Sequence, residues 1–127
     1  MPERTVLVLD DNPEFVRAVA ASARALGLEV AATDDPDAFP CLLGREDAVA
    51  AIVDCMLGDR SGLALLAEIA ARRPSLPTLV VSGYGDGFLA QARQVAGGHG
   101  LVRLSTLAKP FGAGALKGFL AEACAPA

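Results

Sequence analysis

Residues 48–54, AVAAIVD, are apolar at every position except the last, which is an aspartate. Seven residues are too few to cross a membrane, and a run this continuous reads as a strand covered on both faces. Strands of that kind belong to parallel sheets with helices packed above and below. Ending such a run on a carboxylate is costly unless the carboxylate has work to do, which makes Asp54 the first candidate for function.

Four further runs share the rhythm: TVLVLD at 5–10, LEVAAT at 28–33, PTLVVS at 77–82 and LVRLSTL at 101–107. Segments of helical periodicity separate them, and such alternation is the mark of βαβ units around a parallel sheet. The first, third and fourth runs are the most continuously apolar and are expected at its centre. Asn12 or Asp11 is expected to cap the first helix, with Pro13 in its opening turn, an inward stripe of Phe15, Val16, Val19, Ala20, Ala23 and Leu26, and Gly27 as its stop. The second helix, about 36–43, contains Pro40 and is expected to be short or irregular. Ser61 is the expected cap of a third helix, whose Leu63, Leu66, Ile69 and Ala70 form one stripe that ends at Arg72, Arg73 and Pro74. A fourth helix is expected from about Asp86 to Ala96 with GGHG at 97–100 as its stop, and a fifth from about Gly112 to Cys124.

The chain has 127 residues, 53% of them hydrophobic and only 5% aromatic, so one domain with a core of Val, Leu, Ile and Ala is expected. It should span the whole chain as a single unit, with its core about 4–124, no internal linker or repeat, and no output domain. A net charge of −4 with dispersed basic residues disfavours direct nucleic-acid binding. No uninterrupted apolar window reaches the length of a membrane span and no apolar leader is evident, so a cytoplasmic location without membrane attachment is expected. Cys41, Cys55 and Cys124 are odd in number and lack CxxC spacing, which argues for free thiols and against a zinc site.

The polar residues fall at the carboxyl ends of the runs, where ligands bind in open α/β sheets. Asp10 and Asp11 close the first strand, Asp54 the third, Ser82 the fourth, and Lys109 follows the fifth. With strand order 2-1-3-4-5 these groups converge on one crevice. Three carboxylates in one crevice repel each other unless a cation joins them, and Mg²⁺, or Mn²⁺, suits an all-oxygen donor set. Asp11 and Asp54 are the expected direct ligands, Asp10 acts through water, and the backbone carbonyl of Met56 supplies another oxygen. Asp54 is then a nucleophile beside a metal, Lys109 balances charge on an incoming phosphoryl group, and Ser82 donates its hydroxyl to a phosphoryl oxygen.

In these features the chain resembles response-regulator receiver domains of two-component signalling, the CheY-like superfamily. The resemblance is carried by the acidic pair in VLDDNP, by DCMLGDRSG with Gly62 eight residues after Asp54, by VVSGYG, and by KPF with Pro110 after Lys109. It implies a flavodoxin-like (βα)5 three-layer sandwich of five parallel strands. It also implies transfer of a phosphoryl group from a sensor histidine kinase or phosphotransfer protein to Asp54 with Mg²⁺. A signal would pass through altered contacts with a downstream protein, or through a homodimer on the face of the fourth helix and fifth strand. Such a domain catalyses its own phosphorylation and slow dephosphorylation and is not a turnover enzyme. Met56 and Tyr84 occupy positions that, in the family, flank the path of the attacking water and tune the phosphate lifetime.

Two departures stand out. Receivers usually carry an aromatic residue three positions before the lysine as a switch partner of the serine, and here that position is Thr106. Gly58 also stands where a proline is customary. Ser82 and Lys109 are 27 residues apart, which resembles the spacing in receivers joined to cyclic-dinucleotide phosphodiesterase domains. The alternative function is a degenerate receiver-like interaction module acting without phosphorylation. An aspartate-nucleophile phosphatase would need a second acid where Met56 stands, and a flavin site would need a hydroxyl-rich loop where the acidic pair stands.

Overall fold

The structure, a computed structural model, describes residues 4–54, 56–57, 60–61, 63–82, 86–98, 104–108 and 112–123, with the backbone alone at 56, 57, 60, 61, 63, 86–89, 96, 108 and 113. In chain order the elements are β1 (Thr5–Leu9), α1 (Pro13–Ala25), β2 (Glu29–Thr33), α2 (Phe39–Leu42), β3 (Ala48–Asp54), β4 (Met56–Leu57), β5 (Arg60–Ser61), α3 (Leu63–Arg72), β6 (Thr78–Ser82), α4 (Asp86–Gly98), β7 (Leu104–Ala108) and α5 (Ala113–Ala123). The main sheet runs β2-β1-β3-β6-β7 with every pair parallel. This is the expected order 2-1-3-4-5, and the three most apolar runs are its central strands.

The two faces of the sheet bury two separate clusters. On one, Leu7, Leu9, Ala51, Val53 and Val80 meet Phe39 of α2, Leu66 and Ile69 of α3 and Ala92 of α4. On the other, Val6, Val8, Ala50, Ile52, Leu79 and Val81 meet Val19 and Ala23 of α1 and Leu116 and Leu120 of α5. Successive residues of one strand serve opposite clusters, as the period of two requires. The result is three layers, with α2, α3 and α4 on one side and α1 and α5 on the other. β2, at the sheet edge, is only half-buried, which accounts for its weaker apolar run.

Local chemistry explains the boundaries. Asn12 is the cap of α1: its side-chain oxygen accepts from the N–H groups of Glu14 and Phe15, and Pro13 follows at the first helical position. Gly27, at φ +76°, ends the helix, with Leu28 N–H bonded to Ala23 C=O and Gly27 N–H to Arg24 C=O. Leu26, expected inward, is 43% exposed because it falls at the C-cap, where the helical stripe no longer applies. α2 is a single turn carrying Pro40, held by the fully buried Phe39.

Two further expectations differ. Ser61 does not stand immediately before α3. It pairs with Met56 in a two-residue antiparallel ladder, β4 with β5, too short to leave a periodic signal. Gly97 and Gly98 belong to the last turn of α4 rather than to a loop, a tolerable place for glycine because few backbone bonds depend on it. The fifth strand is described over Leu104–Ala108, and residues 99–103 and Cys124, on which parts of the expected helix stop, fifth run and fifth helix fall, lie outside the described residues.

The amino end of the sheet is pinned by charge. Asp47 accepts from Thr5 Oγ1 at 2.6 Å and from Arg45 through a two-point contact at 3.0 Å. Arg73 then donates to the carbonyls of Arg45 and Ala48 at 3.2 and 3.0 Å, tying the end of α3 to the start of β3. Among the described residues no helix is long and apolar enough to cross a membrane, and Cys41 is a free, exposed thiol.

Candidate functional site

β1 delivers the acidic pair. Asp10 stays in the ladder, its N–H donating to the Thr33 carbonyl at 3.2 Å, and its carboxylate is buried. Asp10 Oδ1 accepts the N–H of Asn12 at 2.9 Å, so the chain turns from strand to helix within three residues. Asp11 is carried on that turn and is exposed. β3 delivers Asp54, 6% exposed, at its carboxyl end.

The outcome is a cluster: one carboxylate oxygen from each of Asp10, Asp11 and Asp54 lies within 4.8 Å of the others. Oxygens around Mg²⁺ at about 2.1 Å stand about 3.0 Å apart when adjacent and about 4.2 Å apart when opposite. Three hard oxygen donors at this spacing, two of them buried, fit a divalent cation and fit poorly with one another without one. An open crevice of about 620 Å³ runs from this cluster toward the end of β2, lined by Asp10, Asp11, Arg17, Thr33 and Asp34 among others. Arg17 and Asp34 carried no signal in the sequence, since each is an ordinary charged residue until the turn brings it beside the pair.

Ser82 is fully buried at the end of β6. Asp54 is paired with Val81, so Ser82 stands one residue further along the neighbouring strand, at the same end of the sheet. Ala108, the last residue of β7, pairs with Ser82. Lys109 comes next in sequence and, like Tyr84, lies outside the described residues. Met56 is described by its backbone, in β4 opposite Ser61.

Thr106, where an aromatic residue was expected in a receiver, is half-buried on β7, and its Oγ1 accepts from Arg93 Nη2 of α4 at 2.7 Å. Nothing in the sequence links two residues 13 positions apart on a helix and the following strand; only the fold joins them.

Comparison with known proteins agrees with this geometry. A family model described as the response regulator receiver domain matches residues 6–120. The acid tolerance regulatory protein ActR of Sinorhizobium medicae is 29% identical over 85 residues, 67% of this chain and 44% of that protein. The chain spans less than half the length of the curated relatives ActR and TcrX that it matches. A response regulator from Burkholderia pseudomallei, solved with a phosphorylated aspartic acid, calcium ion and citrate, superposes with a TM-score of 0.76 at 29% identity, over 94% of this chain and 65% of that one. The receiver domain of a sensor histidine kinase from Pseudomonas aeruginosa, solved with a magnesium ion coordinated in its active site cleft, superposes with a TM-score of 0.72 at 25% identity, over 94% of this chain and 96% of that one.

Proposed function

Because the chain belongs to the response regulator receiver family, we propose that it is a phosphoacceptor switch in which Asp54 takes a phosphoryl group from a phosphohistidine. The observation that carries this reading is the convergence of Asp10, Asp11 and Asp54 within 4.8 Å at the carboxyl end of the sheet. A carboxylate oxygen of Asp54 forms the new bond to phosphorus, the bond from phosphorus to the histidine nitrogen breaks, and the imidazole leaves with its electron pair.

The residues divide the work. Asp11 and Asp54 would hold Mg²⁺, or Mn²⁺ in its place, with Asp10 acting through water and Met56 lending its backbone carbonyl. The bound cation neutralises charge on the phosphoryl oxygens and on the crowded carboxylates. Asp10 orients the turn that presents Asp11, since its own oxygen is engaged by the Asn12 N–H. Lys109 balances the charge of the aspartyl phosphate, and Ser82 donates its hydroxyl to a phosphoryl oxygen. Met56 and Tyr84 restrict the approach of water and lengthen the phosphate lifetime.

The family is a signalling module rather than a conventional turnover enzyme. Residues 1–127 act as one receiver unit, with a sensor histidine kinase or phosphotransfer protein as donor in the cytoplasm. The readout is a downstream protein, or a second copy bound on the α4 and β7 face. The test is intact-mass analysis after incubation with Mg²⁺ and acetyl phosphate, with Asp54→Asn alongside. One added phosphoryl group in wild type and none in the variant is expected. A wild-type protein that binds Mg²⁺ yet gains no phosphoryl group and no beryllofluoride would overturn the reading in favour of an interaction module.

A further inference from the structure

The chain leaves α3 through Arg72-Arg73-Pro74-Ser75, and no other serine or threonine in it has two basic residues among the three before it. Arg72 is the last residue of α3, and Ser75 stands on the turn that leads to β6. Arg72, Pro74 and Ser75 are exposed, whereas Leu76 and Pro77 are buried. A partner can therefore read this turn from its amino-terminal side. Surface turns are also where a chain opens most readily to another protein's active site.

The same residues wall a cavity. Arg72, Arg73, Pro74 and Ser75 line a space of about 390 Å³ whose other walls include Val49 and Leu76. Arg73 donates through Nη1 and Nη2 to the carbonyls of Arg45 and Ala48, which leaves further N–H groups on its guanidinium. Arg72 is held more loosely, by a partly exposed pair with Glu68 at 3.3 Å and a 3.5 Å contact with the Pro40 carbonyl. Pairs of that kind are worth little, so Arg72 changes partner at small cost. Two guanidinium groups with donors to offer thus share one cavity with a serine, and the anion they match best is a phosphate.

We propose that Ser75 is a phosphorylation site for a protein serine kinase that selects basic residues ahead of its target, and that Arg72 and Arg73 hold the phosphate once it is made. The co-reactant is a nucleoside triphosphate with its magnesium ion. Ser75 Oγ forms the bond to the γ-phosphorus and the bond from that phosphorus to the bridging oxygen breaks. The nucleoside diphosphate leaves with the electron pair, and the hydroxyl proton passes to a base of the kinase. Acidic groups in the kinase's substrate groove are matched by the two arginines, which selects this serine over the others. The product carries about −1.5 to −2 charges at pH 7, which the arginines then neutralise. Ser75 precedes β6 at the amino end of the sheet, whereas Asp54 closes β3 at the carboxyl end. The modification is therefore independent of the phosphoacceptor reading and gives the domain a second input.

The catalytic subunit of cyclic-AMP-dependent protein kinase, which selects serines preceded by paired arginines, serves as the probe. With magnesium ATP the folded protein should gain one phosphoryl group by intact mass. Asp54→Asn should gain it equally, and Ser75→Ala should gain none. Arg72→Gln, at an exposed position, keeps the fold and should slow the modification about tenfold, the worth of one charge pair between proteins. The second ionisation of a phosphoserine ordinarily falls near about pH 6; in the folded, phosphorylated protein it should lie about half a unit lower than in the same protein unfolded in urea, because the cavity holds both arginines against the dianion. Phosphorus NMR across the pH range reads that shift. No adduct on the folded protein, an adduct that persists in Ser75→Ala, or an unchanged rate in Arg72→Gln would overturn the site. An ionisation that unfolding does not move would overturn the two arginines as its holders.

Discussion

The Asp10 carboxylate accepts the backbone N–H of Asn12 at 2.9 Å, while the Asn12 side chain accepts from the N–H groups of Glu14 and Phe15. The turn that presents the acidic pair is therefore also the turn that starts α1. Stability and chemistry meet there, and substitutions on either side of it separate the two.

Asn12→Ala removes the cap and leaves the acidic pair in place. It should cost about 1 kcal/mol of stability, within a range of about 0.5–2, as helix caps generally do. The urea midpoint reports the loss, and phosphorylation of the folded variant should persist. A variant as stable as wild type would show that α1 is held by packing alone.

Asp11→Asn should reverse its effect with metal. Without a divalent cation, removing one of three crowded carboxylates relieves repulsion on the order of 1 kcal/mol, the interaction of two charges about 4 Å apart in a water-like dielectric. The variant then melts above wild type in chelator. With Mg²⁺ present at about 100 times its Kd, binding adds about 2.7 kcal/mol to wild type, and the order inverts because the variant binds the ion less well. If Asp10 acts through water as proposed, Asp10→Ala should weaken Mg²⁺ binding about tenfold to a hundredfold. Melting curves with and without Mg²⁺ check the inversion, and identical curves for the two proteins in both conditions would rule out a metal at this cluster.

At the opposite end of the sheet, the hydrogen bonds from Arg45 and then Thr5 hold the Asp47 carboxyl well below its usual value near 3.8. Below about pH 4 the unfolded chain takes up a proton at this residue that the folded chain does not. The contribution is therefore complete above that pH and is lost as the pH falls toward the folded value. The stability gap between wild type and Asp47→Asn should be constant near neutrality and should narrow below about pH 4. Added salt should shrink it as well, since Arg45 is partly exposed. Urea midpoints across the acid range test this, and a gap that persists undiminished into strong acid would refute it.

Two glycines should respond with opposite signs. Gly27 sits at φ +76°, and a methyl group added there would meet nothing within 4 Å, so Gly27→Ala faces a backbone penalty alone, about 1–2 kcal/mol. Gly118 lies within α5, also with nothing within 4 Å, so Gly118→Ala should stabilise by up to about 1 kcal/mol. Denaturation of the two variants beside wild type decides both.

Much of this was legible in the residues because burial leaves a strong mark. Residues 48–54 had to be covered on both faces, and β3 occupies those positions. Asp10, Asp11 and Asp54 were legible as a cluster because strand ends converge in this topology, and one carboxylate oxygen of each lies within 4.8 Å of the others. What escaped were features made by short elements or by contacts between elements. The two-residue strands β4 and β5 have no period to detect, Leu26 lost its place in the stripe at a helix end, and the partner of Thr106 was set by the packing of α4 on β7. The same limit hid Arg17 and Asp34, which become neighbours of the acidic pair only after the chain has folded.

The strand order has a consequence for how the sheet is assembled. β2, β1 and β3 are adjacent in the sheet and all lie within residues 5–54, so three of the five strands of the main sheet precede β6 in the chain. Asp10, Asp11 and Asp54 all belong to that earlier portion. Their mutual repulsion therefore opposes the pairing of β1 with β3 whether or not β6 and β7 have joined the sheet, and a cation bound among them would favour that pairing. Magnesium supply should then influence folding yield as well as signalling.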